Sequence, residues 1–230
     1  MCRKYMLEAK KSAAFEKIFS IYNGNLLRRR FHSFQVSGLD FLLNKNPHLP
    51  LIIYCNHSSW WDGLIAFQIS YEVGLQSFMM MEEKQLRRLF LFRLLGAFSV
   101  VRENPRSALK SVNYSAELLK KDSRNTLWIF PQGEILPYDL RPLKFYNGLA
   151  KIIEKIGNCT TISLSMRYEF LGEFKPQIFV KIREPKNISE SEKIDIRKLS
   201  ERFTEQMTEN LDNLKRDINF QNFTGYKKLF

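Results

Sequence analysis

The stretch LPLIIYCNHSSWWDG, residues 49–63, passes from an apolar, β-branched run into a polar segment that holds His57 and Asp62. Residues 50–55 are too short for a helix of ordinary length and rich in β-branched and aromatic types, so they predict a buried strand. A polar segment directly after a strand lies at the strand's carboxyl end, where open α/β sheets place their sites. If a helix begins around Ser58 or Ser59, His57 stands at its entrance and Asp62 one turn inside. The two side chains then meet. The carboxylate accepts a hydrogen bond from one ring nitrogen and fixes the tautomer, which leaves the other nitrogen free to take a proton. The plainer alternative is a buried structural histidine bonded to a helix-start aspartate. No nearby Ser or Cys has the setting of a strained nucleophile elbow, so the proton to be taken belongs to a bound hydroxyl.

Outward from this stretch, strands and helices alternate. SFMMM (77–81), AFSVVR (97–102), TLWIFP (126–131), CTTISLSMRYEF (159–170) and QIFVKIRE (177–184) read as further strands. Asn104 as cap and Pro105 at the first helical position open a helix to about Lys121. Residues 147–156 read as a helix stopped by Gly157. Ile196, Leu199, Phe203, Met207, Leu211, Leu214 and Ile218 step by three or four residues, the period of an amphipathic helix. There is no repeat and no linker. The pattern predicts one α/β domain with a mixed, mostly parallel sheet flanked by helices. Residues 31–185 form that domain, an amphipathic basic helix over 1–30 precedes it, and a C-terminal helical segment over 186–230 packs on it.

Composition narrows the function. With 230 residues, 44% apolar and 13% aromatic, the chain can bury a sizeable core. Cys2, Cys55 and Cys159 are far apart and without C-x-x-C spacing, so neither a disulfide framework nor a metal site is expected. No secretory leader opens the sequence, and no apolar run reaches the roughly 18 residues of a spanning helix. The net charge of +12 requires an anionic partner, either nucleic acid or acidic lipid. No RNP-like strand, zinc finger or helix-turn-helix signature speaks for nucleic acid. Half of the excess sits in residues 1–30, among them Arg3, Lys4 and Arg28 to Arg30. Ala14, Phe15, Ile18, Phe19, Ile21, Tyr22 and Leu26 recur between those charges at helical spacing. This predicts a helix lying on an anionic membrane surface, at the cytoplasmic face, or alternatively a solvated helix with one face on the core.

The block N-H-x-S-x-x-D in NHSSWWD resembles the first signature of the phospholipid/glycerol acyltransferases, the family of the lysophosphatidic acid acyltransferases. The second signature is matched by Lys84, Leu86 and GAFSVVR (96–102), and the third in part by FPQGEI (130–135), followed by RPLKFYNGLA (141–150). The resemblance spans roughly residues 35–170. It implies transfer of a fatty acyl group from acyl-CoA or an acyl carrier protein thioester to an acceptor hydroxyl, without a metal or a resident cofactor. It also implies His57 as the general base and Asp62 as its orienter. Asn56, Ser59, Lys84, Arg102, Gln132, Gly133, Glu134, Arg141 and Lys144 fall at positions expected to bind substrate, and the amides around Gly133 are the expected oxyanion donors.

The third block departs from the family. Gln132 replaces Glu, Glu134 replaces Thr, and Ile135 replaces the Arg associated with the acceptor's phosphate. A guanidinium fork suits a phosphate and isoleucine offers it nothing. Arg102, Arg141 or Lys144 is expected to compensate. The alternatives are a non-phosphate acceptor such as a glycolipid or glycosylated carotenoid, or an inactive lipid-binding relative.

Overall fold

The computed structural model describes residues 6–189 and 195–230. Its centre is β2 (Leu51–Cys55), every residue of which is buried. Alternate side chains point to opposite faces of a strand, so Ile52 and Tyr54 enter one apolar cluster while Leu51, Ile53 and Cys55 enter the other. A strand covered on both sides needs an unbroken apolar run, which is why this one was legible.

Parallel neighbours flank β2. β5 (Asn125–Ile129) pairs with it on one side and β6 (Cys159–Glu169) on the other. β3 (Gln76–Glu82) joins β5 in parallel, and β4 (Ala97–Val100) joins β3. β7 (Gln177–Ile182) turns back antiparallel on β6, and β1 (Phe34–Ser37) pairs with β7 in parallel. Two three-residue strands complete the nine-stranded sheet: β8 (Lys186–Ile188) on β6 and β9 (Tyr226–Lys228) on β1. The mixed, mostly parallel sheet agrees with the sequence. β1, β8 and β9 did not show in it, because they are short and pair with distant partners.

Helices cover both faces. α1 (Ala13–Arg30) and α3 (Asp62–Glu72) lie on one side, while α5 (Pro105–Lys121), α6 (Gly148–Ile156) and α7 (Ile196–Asn219) lie on the other. The short α2 (Asp40–Leu43), α4 (Glu83–Arg88) and a 3-10 turn (Phe90–Leu95) fill connections. Asn104 caps α5 by accepting from the Ser107 amide, and Pro105 follows it, as the sequence predicts. Gly96 has φ of +95°, and a Cβ there would fall 2.4 Å from the Ser77 carbonyl oxygen. Only glycine lets β4 start so close to β3.

The N-terminal segment differs from the expectation in two ways. Among the described residues helix begins at Ala13; residues 6–12 are in no helix or strand, with the Ser99 amide donating to the Leu7 carbonyl at 2.8 Å and the Ser12 amide donating to the Leu94 carbonyl. Arg3 and Lys4 lie outside the described residues. The helix is also inverted in polarity. Ser20, Asn23, Gly24 and Leu27 are the buried positions, whereas Ile18, Ile21 and Tyr22 are 65%, 64% and 60% exposed. Asn23 Nδ2 donates to the Leu64 carbonyl at 3.0 Å and to Gln68 Oε1 at 2.9 Å, and the Phe19 ring meets the Phe67 ring with centroids 5.0 Å apart, so α1 docks on α3 through polar and aromatic groups. One face of α1 is thus packed, through Leu27 as well as these polar positions, while Ile18, Ile21 and Tyr22 stay outside it.

Among the described residues no helix is long and apolar enough to cross a membrane.

Candidate active site

The register of three strands assembles the site. Tyr54 pairs with Ile129, so the segment after β2 and the turn after β5 leave the sheet side by side. Tyr54 also pairs with Ser163 and Cys55 with Leu164, so β6 runs on past the end of β2. Asn56 is anchored on this overhang: its amide donates to the Met166 carbonyl at 3.0 Å, and its Oδ1 accepts from the Met166 amide at 2.8 Å.

His57 and Asp62 meet. His57 Nδ1 lies 2.8 Å from Asp62 Oδ2, which also accepts from the backbone amides of Ser58 at 2.7 Å and Ser59 at 2.9 Å. These amide bonds hold residues 58–61 in a non-helical turn, so α3 begins at Asp62 rather than at Ser58 or Ser59. Asp62 is fully buried, while the His57 side chain keeps 23% of its surface. The His57 ring stacks on Phe130 with centroids 4.6 Å apart. With a proton on Nδ1 directed at the carboxylate, Nε2 presents a lone pair. Burial pushes the Cys55 thiol well above its ordinary value, and the nearby Asp62 charge adds to this, so the adjacent cysteine is not an available thiolate.

His57 lines a mainly apolar cavity of about 660 Å³. The walls come from Phe19 of α1, Phe67 of α3, Met79 to Met81 of β3, Phe92 of the 3-10 turn and the α5 face at Leu109 and Val112. The lining also includes Arg102, Gly133, Glu134, Ile135, Tyr146 and Lys151. Gly133 has φ of +72°, and a Cβ on it would come within 2.8 Å of Arg102 Nη1 and 3.0 Å of the Tyr146 ring. Glycine leaves the space those two side chains share.

The structure sorts the remaining expected residues. Gln132 is buried and its Oε1 accepts from the His57 amide at 2.7 Å, so it braces the site instead of facing substrate. Ser59 orients the turn, accepting from the Trp61 amide through its hydroxyl. Gly133's own amide is taken by the Phe130 carbonyl at 2.9 Å, which removes it as an oxyanion donor. Three expected cations are not brought to the cavity. Arg141 donates to the carbonyls of Tyr138 and Leu140 and pairs with Asp212 of α7. Lys84 and Lys144 are exposed and outside the lining. Lys151, which the sequence reading missed, lines the cavity instead. Its position in the first turns of α6, directly after the third block and its glycine, was the available signal.

Also missed was Tyr168. Its hydroxyl donates to Asp62 Oδ1 from the β6 overhang. Burial, and then the Asp62 charge, push its phenol well above the ordinary tyrosine value. Among the described residues, no group of three or more His, Cys, Asp or Glu side chains is placed to hold a metal ion.

A mixed, mostly parallel α/β sheet thus carries a His-x4-Asp pair at the carboxyl end of β2, beside a mainly apolar cavity. The acyltransferase family profile matches residues 33–167, which contain all three sequence blocks. The chain belongs to the acyltransferase family, the phospholipid/glycerol acyltransferases, and is an acyltransferase enzyme. In fold it is similar to the 1-acyl-sn-glycerophosphate (LPA) acyltransferase PlsC from Thermotoga maritima, with a TM-score of 0.62 and 19% identity over 87% of this chain and 80% of that one. A sequence search among curated proteins gives no match.

Proposed function

We propose that this enzyme transfers a fatty acyl group from an acyl thioester, carried by CoA or an acyl carrier protein, to a hydroxyl of a glycerolipid-type acceptor such as a lysophospholipid. The supporting observation is the juxtaposition of an oriented His57, its Nε2 lone pair available, with an apolar cavity of about 660 Å³ that suits an acyl chain. His57 Nε2 takes the acceptor's hydroxyl proton as its oxygen attacks the thioester carbonyl. The tetrahedral intermediate collapses by breaking the C–S bond, and the imidazolium returns the proton to the leaving thiolate. Asp62 holds the ring in the tautomer that each step needs.

The acceptor is read from the charged residues of the cavity lining. Arg102 and Lys151 both line the cavity, together with the carboxylate of Glu134 on the same turn as Gly133. Two cations there suit a phosphate-bearing acceptor in spite of Ile135. Attachment to an anionic membrane at the cytoplasmic face belongs to the same proposal. It is supported by the exposed Ile18, Ile21 and Tyr22 together with Arg28, Arg29 and Arg30 in the last turn of α1.

Initial rates with lysophosphatidic acid and with a neutral glycolipid acceptor test the reading. His57→Ala should reduce turnover by about 10² to 10⁴ with either acceptor. Arg102→Ala should raise KM for lysophosphatidic acid by about tenfold or more, because charge-assisted bonds to phosphate contribute about 1.5–3 kcal/mol. A folded His57→Ala protein with near wild-type transfer would sink the mechanism. Indifference to Arg102 with preference for the glycolipid would leave the non-phosphate acceptor standing.

A further inference from the structure

β2 ends at Cys55, while β6, eleven residues long, continues to Glu169 beyond the last shared pair at Leu164. Along that overhang Leu164, Met166 and Tyr168 point to the same face, the one α3 covers. The overhang thus suspends a phenol over the first residue of α3, which is Asp62. Asp62 Oδ2 is shared by the His57 ring and two backbone amides. Oδ1 receives the Tyr168 hydroxyl. Phe31 packs against the Tyr168 ring with centroids 5.7 Å apart, and Trp61 packs on Phe31 at 5.1 Å, so the hydrogen bond sits in an apolar enclosure.

We propose that Tyr168 is a positioning residue for the acyl transfer, acting on His57 through Asp62, a role that rests on the base assignment above. Its hydroxyl draws negative charge toward Oδ1 and away from the oxygen that faces the imidazole. It therefore moderates how strongly the carboxylate holds a proton on His57 and fixes the carboxylate plane in which the ring must lie. Four donors meet the two oxygens, and Tyr168, whose hydroxyl also contacts the Ser59 side chain, is the one on Oδ1.

Other charged or titratable groups near the dyad are few. Cys55 of β2 lies beneath Asp62, and Arg102 and Glu134 belong to the cavity wall that His57 shares. Burial holds both Cys55 and Tyr168 protonated through the neutral range, so neither adds a charge of its own there. A change in His57 titration on altering Tyr168 thus traces to the hydrogen bonds of its hydroxyl, to Asp62 and to Ser59, and not to a charge of its own.

The test uses the full chain with Tyr168→Phe and, separately, with 3-fluorotyrosine at position 168. The ring titration of His57 is followed by NMR without substrate, and kcat and KM are measured across pH. Loss of the hydroxyl concentrates charge on Oδ2. The His57 midpoint and the acid limb of the rate profile should both move to higher pH, by about half a unit or more. kcat should fall by about 10- to 100-fold, the equivalent of one hydrogen bond to a charged group, with KM nearly unchanged. Fluorotyrosine, a stronger donor of the same shape, should move the midpoint the opposite way and remains informative if the Phe variant does not fold. A midpoint that stays put in both variants overturns the role, even if Tm is lowered. Because the titration needs no turnover, it fails or succeeds independently of the acyl-transfer reading.

Discussion

The two terminal helices both carry apolar residues at helical spacing, but only α7 gathers them on its buried side. α7 buries Leu199, Phe203, Met207, Leu211, Leu214 and Ile218 against the sheet and leaves its polar side to solvent. α1 buries Ser20, Asn23, Gly24 and Leu27 and turns Ile18, Ile21 and Tyr22 outward. Periodicity reveals that a helix has two faces but not what covers each. In water alone the arrangement of α1 is unfavourable, since each outward apolar side chain forgoes about 1.5–3 kcal/mol of burial. Contact with a lipid surface would recover part of this, which is why the inversion supports the membrane reading.

Substitutions on the two helices can break this contrast. The largest effect is expected in α7: Phe203→Ala removes a ring 4.8 Å from that of Tyr54 in the core and should lower unfolding free energy by about 3–5 kcal/mol in denaturant titration. On the inward side of α1, Asn23→Ala removes the donor to Leu64 and Gln68 and should cost about 1–3 kcal/mol by the same measurement. The smallest effect on stability belongs to the outward side, where Ile18→Ser, Ile21→Ser and Tyr22→Ser should each fall within about 0.5 kcal/mol. Their combination should nevertheless weaken co-sedimentation with anionic vesicles. If instead the triple variant unfolded and bound vesicles as well as the wild type, the outward residues would be part of the core and α1 would be an ordinary packing helix.

The sequence disclosed those features whose causes are local. Six strands announced themselves because each carries a short apolar run, and α5 did so through Asn104 and Pro105. His57 and Asp62 were legible for the same reason: one carboxylate five residues away gathers the ring and two amides of its own turn. Tyr168 is 106 residues from Asp62 and reaches it only through sheet register, so nothing in its neighbourhood marks it. Arg141 lies outside the cavity lining and pairs with Asp212, 71 residues away on α7, a partner its own neighbourhood does not announce. Chemistry at a motif position identifies a candidate. Tertiary partners decide whether it is free to act.

The link between Gln132 and the His57 backbone has a consequence for altering this enzyme. The His57 amide donates to Gln132 Oε1, and the His57 carbonyl accepts from Leu136 at 2.9 Å, so the residue is clasped from both sides by the turn that carries Gly133, Glu134 and Ile135. The glutamate usual in the family offers the same acceptor oxygen, so the exchange to Gln132 keeps the clasp while removing a charge from a buried position. On the proposed mechanism, selectivity and proton transfer are therefore mechanically one module. A loop transplanted here to accept a different alcohol carries the imidazole's backbone with it, and only grafts that preserve an acceptor at 132 and the amide at 136 can change what is acylated without also displacing the group that starts the reaction.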